Sequence, residues 1–127
     1  MIHRMQGLHL TADLRGCPSG GAAMTEPVAL RSLCLRAVAE AGLQAVGELF
    51  HRFPPPGGVT GVVLLAESHL AVHTWPELCA VTLDVYVCNL GADNSAKAQA
   101  LMASLQAAFA PARVEQHRLP RGAAAAA

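Results

Sequence analysis

The run Pro54-Pro55-Pro56-Gly57-Gly58 constrains this chain most strongly. Proline removes a backbone donor and fixes φ, and glycine weakens strands and helices alike, so no regular element passes through it. Two separate strands are therefore expected around it. Leu43 to Phe53 precedes the break, and Val59 to Ala66 follows as an apolar run of the buried type. Farther upstream, GLHLTADL at Gly7–Leu14 alternates apolar and polar residues as a half-buried strand should. The turn-rich CPSGGAAMTEP comes next, with Thr25 as a helix cap and Pro27 in the first turn. The helix runs to about Ala41, where Gly42 ends it, and Leu30, Leu33, Cys34, Ala37, Val38 and Ala41 form its apolar stripe.

Downstream, Leu70–His73 reads as a short extended segment, and Trp75-Pro76 as a turn. VTLDVYVC, Val81–Cys88, alternates as another strand. A second helix spans Ser95–Phe109, with Ala98, Leu101, Met102, Leu105 and Phe109 on one face. Ala112–Leu119 is the last strand, and Gly122–Ala127 a frayed tail. This order predicts an α+β two-layer sandwich: a mainly antiparallel sheet with two helices packed on one face. The opposite face then needs a cover, and a second subunit, giving a homodimer, is the expected one.

A chain of 127 residues supports a single domain, residues 1–127. Lys+Arg and Asp+Glu each number 9, so no basic field exists to hold nucleic acid. The longest apolar runs, such as Gly61–Ala66, are far shorter than a membrane span, and the N-terminus has no apolar signal core. A cytoplasmic protein with no membrane partner is expected. Cys17, Cys34, Cys79 and Cys88 form no recognisable framework and read as reduced thiols. The first four residues, before Met5, are either a leader or a misplaced start.

Chemistry concentrates in GVVLLAESHLAVHTWPELC, Gly61–Cys79. Taken singly, its residues leave several readings open. His69 and His73 share a face of an extended segment, but Cys79 and Cys88 lack zinc-site spacing, so no metal is expected. Ser68 with His73 and Glu67, Glu77 or Asp84 has the composition of a hydrolase triad, yet AESHL lacks the GxSxG elbow. Ser68 and His69 also read as a plain strand end, with Trp75 and Pro76 as packing and turn residues.

Taken jointly, GVTGVVLLAESHLAVHTWPE followed by LDVYVC resembles the bacterial and archaeal S-adenosylmethionine decarboxylase proenzyme family. That family's pattern is an ESH tripeptide, an HTWPE motif, and an acidic strand ending in cysteine. GLHLTADLRGC, HRF at His51–Phe53, the second helix and the last strand fall in the family's order, so the resemblance covers nearly the whole chain.

The resemblance implies a precursor that cuts itself between Glu67 and Ser68 into residues 1–67 and 68–127. The Ser68 hydroxyl would attack the preceding carbonyl, and loss of the Ser68 α-proton to His73 would then expel the upstream chain. The dehydroalanine left at Ser68 hydrolyses to a pyruvoyl group, the covalent cofactor, whose ketone forms a Schiff base with a substrate amine and accepts electrons as carbon dioxide leaves. Cys88 would return a proton to the substrate carbon, and Thr60, at a position where the family commonly has serine, would assist processing. Ser68 and His73 are an odd number of positions apart, so on an ideal strand they face opposite ways. Either the chain bends there or the ends separate after cleavage.

After WPE the family commonly carries an aromatic and small run; here Leu78, Cys79, Ala80, Val81 and Thr82 stand instead. Cys79 has no family counterpart and reads as structural. Phe53 and Tyr86 are candidates to stack on an adenine, and Glu77 to bond a ribose hydroxyl. S-adenosylmethionine is thus the leading substrate, in polyamine biosynthesis. The alternative within the family is arginine or ornithine, whose distal cation would need Asp84, Glu77 or Glu48. A different class of alternative is a non-catalytic regulatory member that keeps only the fold.

Overall fold

The structure, a computed structural model, describes residues 6–89 and 91–122. The expectations for the first residues and for the alanine tail beyond Gly122 lie outside the described residues. β1 (Gln6–Arg15) leads through a 3-10 turn at Ala22–Met24 to α1 (Pro27–Glu40). β2 (Ala45–Arg52), β3 (Val59–Leu65), β4 (Ser68–Trp75) and β5 (Ala80–Cys88) follow, with a 3-10 turn at Pro76–Leu78 before β5. α2 (Ser95–Phe109) and β6 (Arg113–Gly122) complete the order.

Each strand lies where alternation or an apolar run predicts one, with ends shifted by a few residues. The clearest difference is β4. Its eight residues extend well beyond Leu70–His73, because ladder partners on both sides extend what local composition leaves short. α1 is capped at Glu26 rather than Thr25, without a side-chain cap bond, and Pro27 opens it as expected. Gly42, at φ 82°, supplies the left-handed turn that ends it.

The strands form one six-stranded sheet in the order β2-β3-β4-β5-β1-β6. Every pair is antiparallel. Leu8, Leu10 and Leu14 of β1, Val63 and Leu65 of β3, Leu70 and Val72 of β4, and Leu83, Val85 and Val87 of β5 point to one face and are buried. They meet Leu30, Cys34 and Val38 of α1 and Leu101, Met102, Leu105 and Phe109 of α2. The expected two-layer α+β sandwich is borne out.

The alternate positions make up the other, open face: His9, Thr11 and Asp13 of β1, Thr60, Val62 and Leu64 of β3, His69, Ala71 and His73 of β4, and Thr82, Asp84 and Tyr86 of β5. Among the described residues, nothing packs over them as a second layer. Leu49, Leu64, Trp75 and Leu119 are large apolar side chains exposed on that side.

Candidate active site

β3 and β4 form a hairpin closed by Ala66 and Glu67, with Leu65 paired to Ser68. Glu67 adopts φ 52°, a left-handed conformation that costs a non-glycine residue about 1–2 kcal/mol. The Glu67-Ser68 peptide bond thus sits at the tip of a tight turn, directly after the one strained residue of that turn. The turn also aims Ser68 toward the end of β5, where the Cys88 N–H donates to Ser68 Oγ at 3.1 Å. Cys88 itself is 8% exposed and shares its side of β5 with Tyr86 and Asp84. Its carbonyl accepts from Asn94 Nδ2 at 2.8 Å, which ties the strand end to the start of α2. Beside it, Ser95 N–H donates to Asp93, and this bond lowers the Asp93 pKa.

A second group of residues gathers at the other end of the hairpin. Thr60 and His73 are cross-strand partners, and Thr60 Oγ1 lies 3.0 Å from His73 Nδ1. The His73 ring stacks on Trp75 at 6.3 Å. Between them, Thr74 points to the helix side and is buried, where its hydroxyl accepts the Val59 N–H at 2.8 Å and donates to the Met24 carbonyl at 2.8 Å. This anchor fixes the strand that carries His73. Thr60, His73, Trp75 and Glu77, with Phe53, Pro54 and Pro56 of the proline loop, line a cavity of about 390 Å³. The loop that divides the sequence therefore forms a wall of the cavity.

Thus the structure brings Ser68 to Cys88, and brings Thr60, His73, Phe53 and Glu77 together, but keeps the two groups apart. β4 pairs without a break from Ser68 to Trp75, so the expected bend is absent. Five residues of straight strand put Ser68 and His73 about 17 Å apart, and they face opposite sides of the sheet.

Tyr86 and Asp84 belong to neither group. His9 Nε2 lies 3.0 Å from Asp84 Oδ1, and Tyr86 stacks on His69 at 5.8 Å with the Arg121 guanidinium 5.8 Å from its ring centre. Glu48 turns to the helix side, where Arg31 donates to it at 2.8 and 2.9 Å. Of the three carboxylates considered for a distal cation, Glu77 alone lines the cavity. Sequence reasoning did not single out His9, and it gave Trp75 only a packing and turn role. The alternation of His9, Thr11 and Asp13 carried a signal for the former, since it marks them as facing away from the core. Among the described residues no group of three or more His, Cys, Asp or Glu side chains is placed to hold a metal ion.

A chain of this fold has counterparts among known proteins. Residues 8–122 match the S-adenosylmethionine decarboxylase family. The S-adenosylmethionine decarboxylase proenzyme of Persephonella marina is 40% identical over 121 residues, 95% of this chain and 86% of that protein. That of Archaeoglobus fulgidus is 39% identical over 116 residues, 91% of this chain and 97% of that protein. The crystal structure of the adenosylmethionine decarboxylase from Aquifex aeolicus superposes with a TM-score of 0.84 at 34% identity, covering 96% of this chain and 95% of that one. The chain belongs to the S-adenosylmethionine decarboxylase family, as the ESH and HTWPE motifs led us to expect.

Proposed function

We propose that the chain decarboxylates S-adenosylmethionine for polyamine synthesis, after cutting itself between Glu67 and Ser68. The observation that carries this reading is the placement of the Glu67-Ser68 bond at a strained hairpin tip, with Ser68 Oγ held by Cys88. Strain in the residue before the bond favours its loss, and a fixed hydroxyl is the nucleophile needed to turn the amide into an ester.

The site fits a pyruvoyl group at position 68. The Cys88 N–H that now meets Ser68 Oγ is a donor suited to an oxygen on a small group at that position, and no bulky side chain has to be accommodated. The pyruvoyl group supplies a carbonyl that captures the substrate amine and accepts electrons when carbon dioxide departs. The protein's own residues do the rest. Cys88, whose backbone N–H meets Ser68, is the residue placed to return a proton to the substrate carbon. In the cavity, the Phe53 ring presents a face to an adenine or to the cationic sulfonium, and Glu77 presents a carboxylate to a ribose hydroxyl. Thr60 holds His73 in one orientation. With Glu48 bound to Arg31 and Asp84 to His9, the cavity suits a nucleoside better than arginine or ornithine.

The separation of Ser68 from His73 supports a working pair of copies. Two open faces related by a two-fold axis running across the strands would set the hairpin-tip end of one copy, where Cys88 lies on the open face, over the His73 end of the other, so that only the tip bond at Glu67-Ser68 has to reach across the sheet edge. Each cavity would then serve the partner's Ser68 and Cys88, and the apolar side chains exposed on that face would be covered.

Intact mass of the purified protein should show two fragments, the C-terminal one beginning with a pyruvoyl group, and carbon dioxide release should be far faster from S-adenosylmethionine than from arginine or ornithine. Ser68→Ala should stay uncut. A wild-type chain that remains whole and inert toward all three substrates would leave the non-catalytic alternative standing.

A further inference from the structure

We propose that Cys17 and Cys79 form a thiol–disulfide pair that covalently joins the two chains made by cleavage at Glu67-Ser68. The joining of two chains rests on the self-cleavage described above; the pairing of the cysteines does not.

The β1–β5 ladder runs to Arg15 opposite Ala80. Gly16 then takes φ 69° as an extra residue, and the Cys17 N–H donates to the Cys79 carbonyl at 2.8 Å. This bulge shifts the register by one and sets the two cysteines opposite each other. Facing residues on adjacent antiparallel strands stand about 4.5–5.5 Å apart at Cα, inside the roughly 4.4–6.8 Å range that a disulfide spans. A side chain at Gly16 would collide with the Ala112 Cβ at 2.6 Å, so the bulge is held in place by its surroundings. Burial, and then the neighbouring Cys79, push the Cys17 thiol above its ordinary pKa, as expected of two thiols within reach of each other.

The other two cysteines have different settings. Cys34 is buried on α1 and Cys88 lies at the far end of β5 from Cys79. Cys79 is half-buried and Cys17 fully buried, so Cys79 is the thiol that a reagent meets first. With a small-molecule disulfide such as oxidised glutathione as oxidant, the Cys79 thiolate attacks one sulfur and releases the first small thiol. The Cys17 thiolate then attacks the Cys79 sulfur of the mixed disulfide and releases the second. The two protein thiols give up two protons and two electrons, and the small disulfide leaves as two thiols. Cys17 lies in residues 1–67 and Cys79 in 68–127, so the bond crosses the cut and fixes the end of the Pro76–Leu78 turn, which carries Glu77.

The test equilibrates the purified protein in glutathione buffers of graded ratio, quenches it by alkylation under denaturing conditions, and resolves it by non-reducing electrophoresis and peptide mass. In oxidising buffers the wild-type fragments should migrate as one species that reductant splits, with Cys17 and Cys79 protected from alkylation. Cys17→Ser and Cys79→Ser should give separate fragments throughout. Ser68→Ala, which is uncut, should lose the same two thiols, so failed cleavage and failed pairing read out separately. Full alkylation of Cys17 and Cys79 in every buffer overturns the proposal, as does equal linkage of fragments in Cys79→Ser.

Discussion

Thr60 shows how much a single hydroxyl contributes here. Threonine is a common strand residue, and nothing in GVTG alone distinguishes a strand threonine from a working one. Its 3.0 Å contact to His73 Nδ1 is what makes the proposed role testable. Thr60→Val keeps the shape and the β-branch but removes the contact, and one hydrogen bond is worth about 1 kcal/mol. Self-cleavage followed by mass should slow by roughly tenfold or less at that magnitude, while Thr60→Ser should restore it; equal rates for valine and threonine would remove Thr60 from the processing machinery. Ser68, His73 and Cys88 could be proposed from the sequence because their motif is local. His9 was not assigned to Asp84, because that contact joins residues 75 apart and exists only because β1 inserts between β5 and β6.

At the scale of elements, strands and helices were readable from alternation and periodicity, and β4 was underestimated for a physical reason. Ser68, His69, His73 and Thr74 are polar, and their strand conformation is imposed by β3 and β5 rather than by their own propensity. The same continuity decides the question left open about Ser68 and His73: a strand paired on both edges cannot bend. α1 offers an independent check on the helix layer. Burial pushes the Cys34 thiol from an ordinary 9.0 up to about 12. Between those values the folded state keeps a proton that the unfolded state has lost, so stability falls as pH rises through this window and is fully present below it. Urea midpoints measured from pH 8 upward should decline more steeply for the wild type than for Cys34→Ala; parallel declines would mean that the thiol ionises without resistance in the folded protein.

For the whole molecule, the separation of Ser68 and His73 at opposite ends of β4 makes a sharp prediction for the proposed pair of copies. Ser68→Ala and His73→Ala should each fail to process alone. When the two are co-expressed and form mixed pairs, the His73→Ala chain should be cut, because its own Ser68 meets His73 of the partner subunit. Mixed pairs confirmed by mass but left uncut would place processing within one chain. Sequence could supply the residues of the site but not this division, since strand parity and distance along β4 emerge only with the assembled sheet.

The sheet order has one more consequence. The proposed cleavage between β3 and β4 would assign β1, α1, β2 and β3 to one product and β4, β5, α2 and β6 to the other. In the order β2-β3-β4-β5-β1-β6, three of the five strand seams then join different polypeptides. Neither product owns a contiguous sheet, so neither can rebuild the core unaided. Under the proposed cleavage, folding would have to come before cutting, and the precursor would serve as its own one-use template. After denaturation, uncut Ser68→Ala should renature at a rate independent of protein concentration in its first, sheet-forming phase. The mature two-chain protein should renature in proportion to concentration and fail on high dilution, and a dilution-independent rate for both would show that one product folds alone.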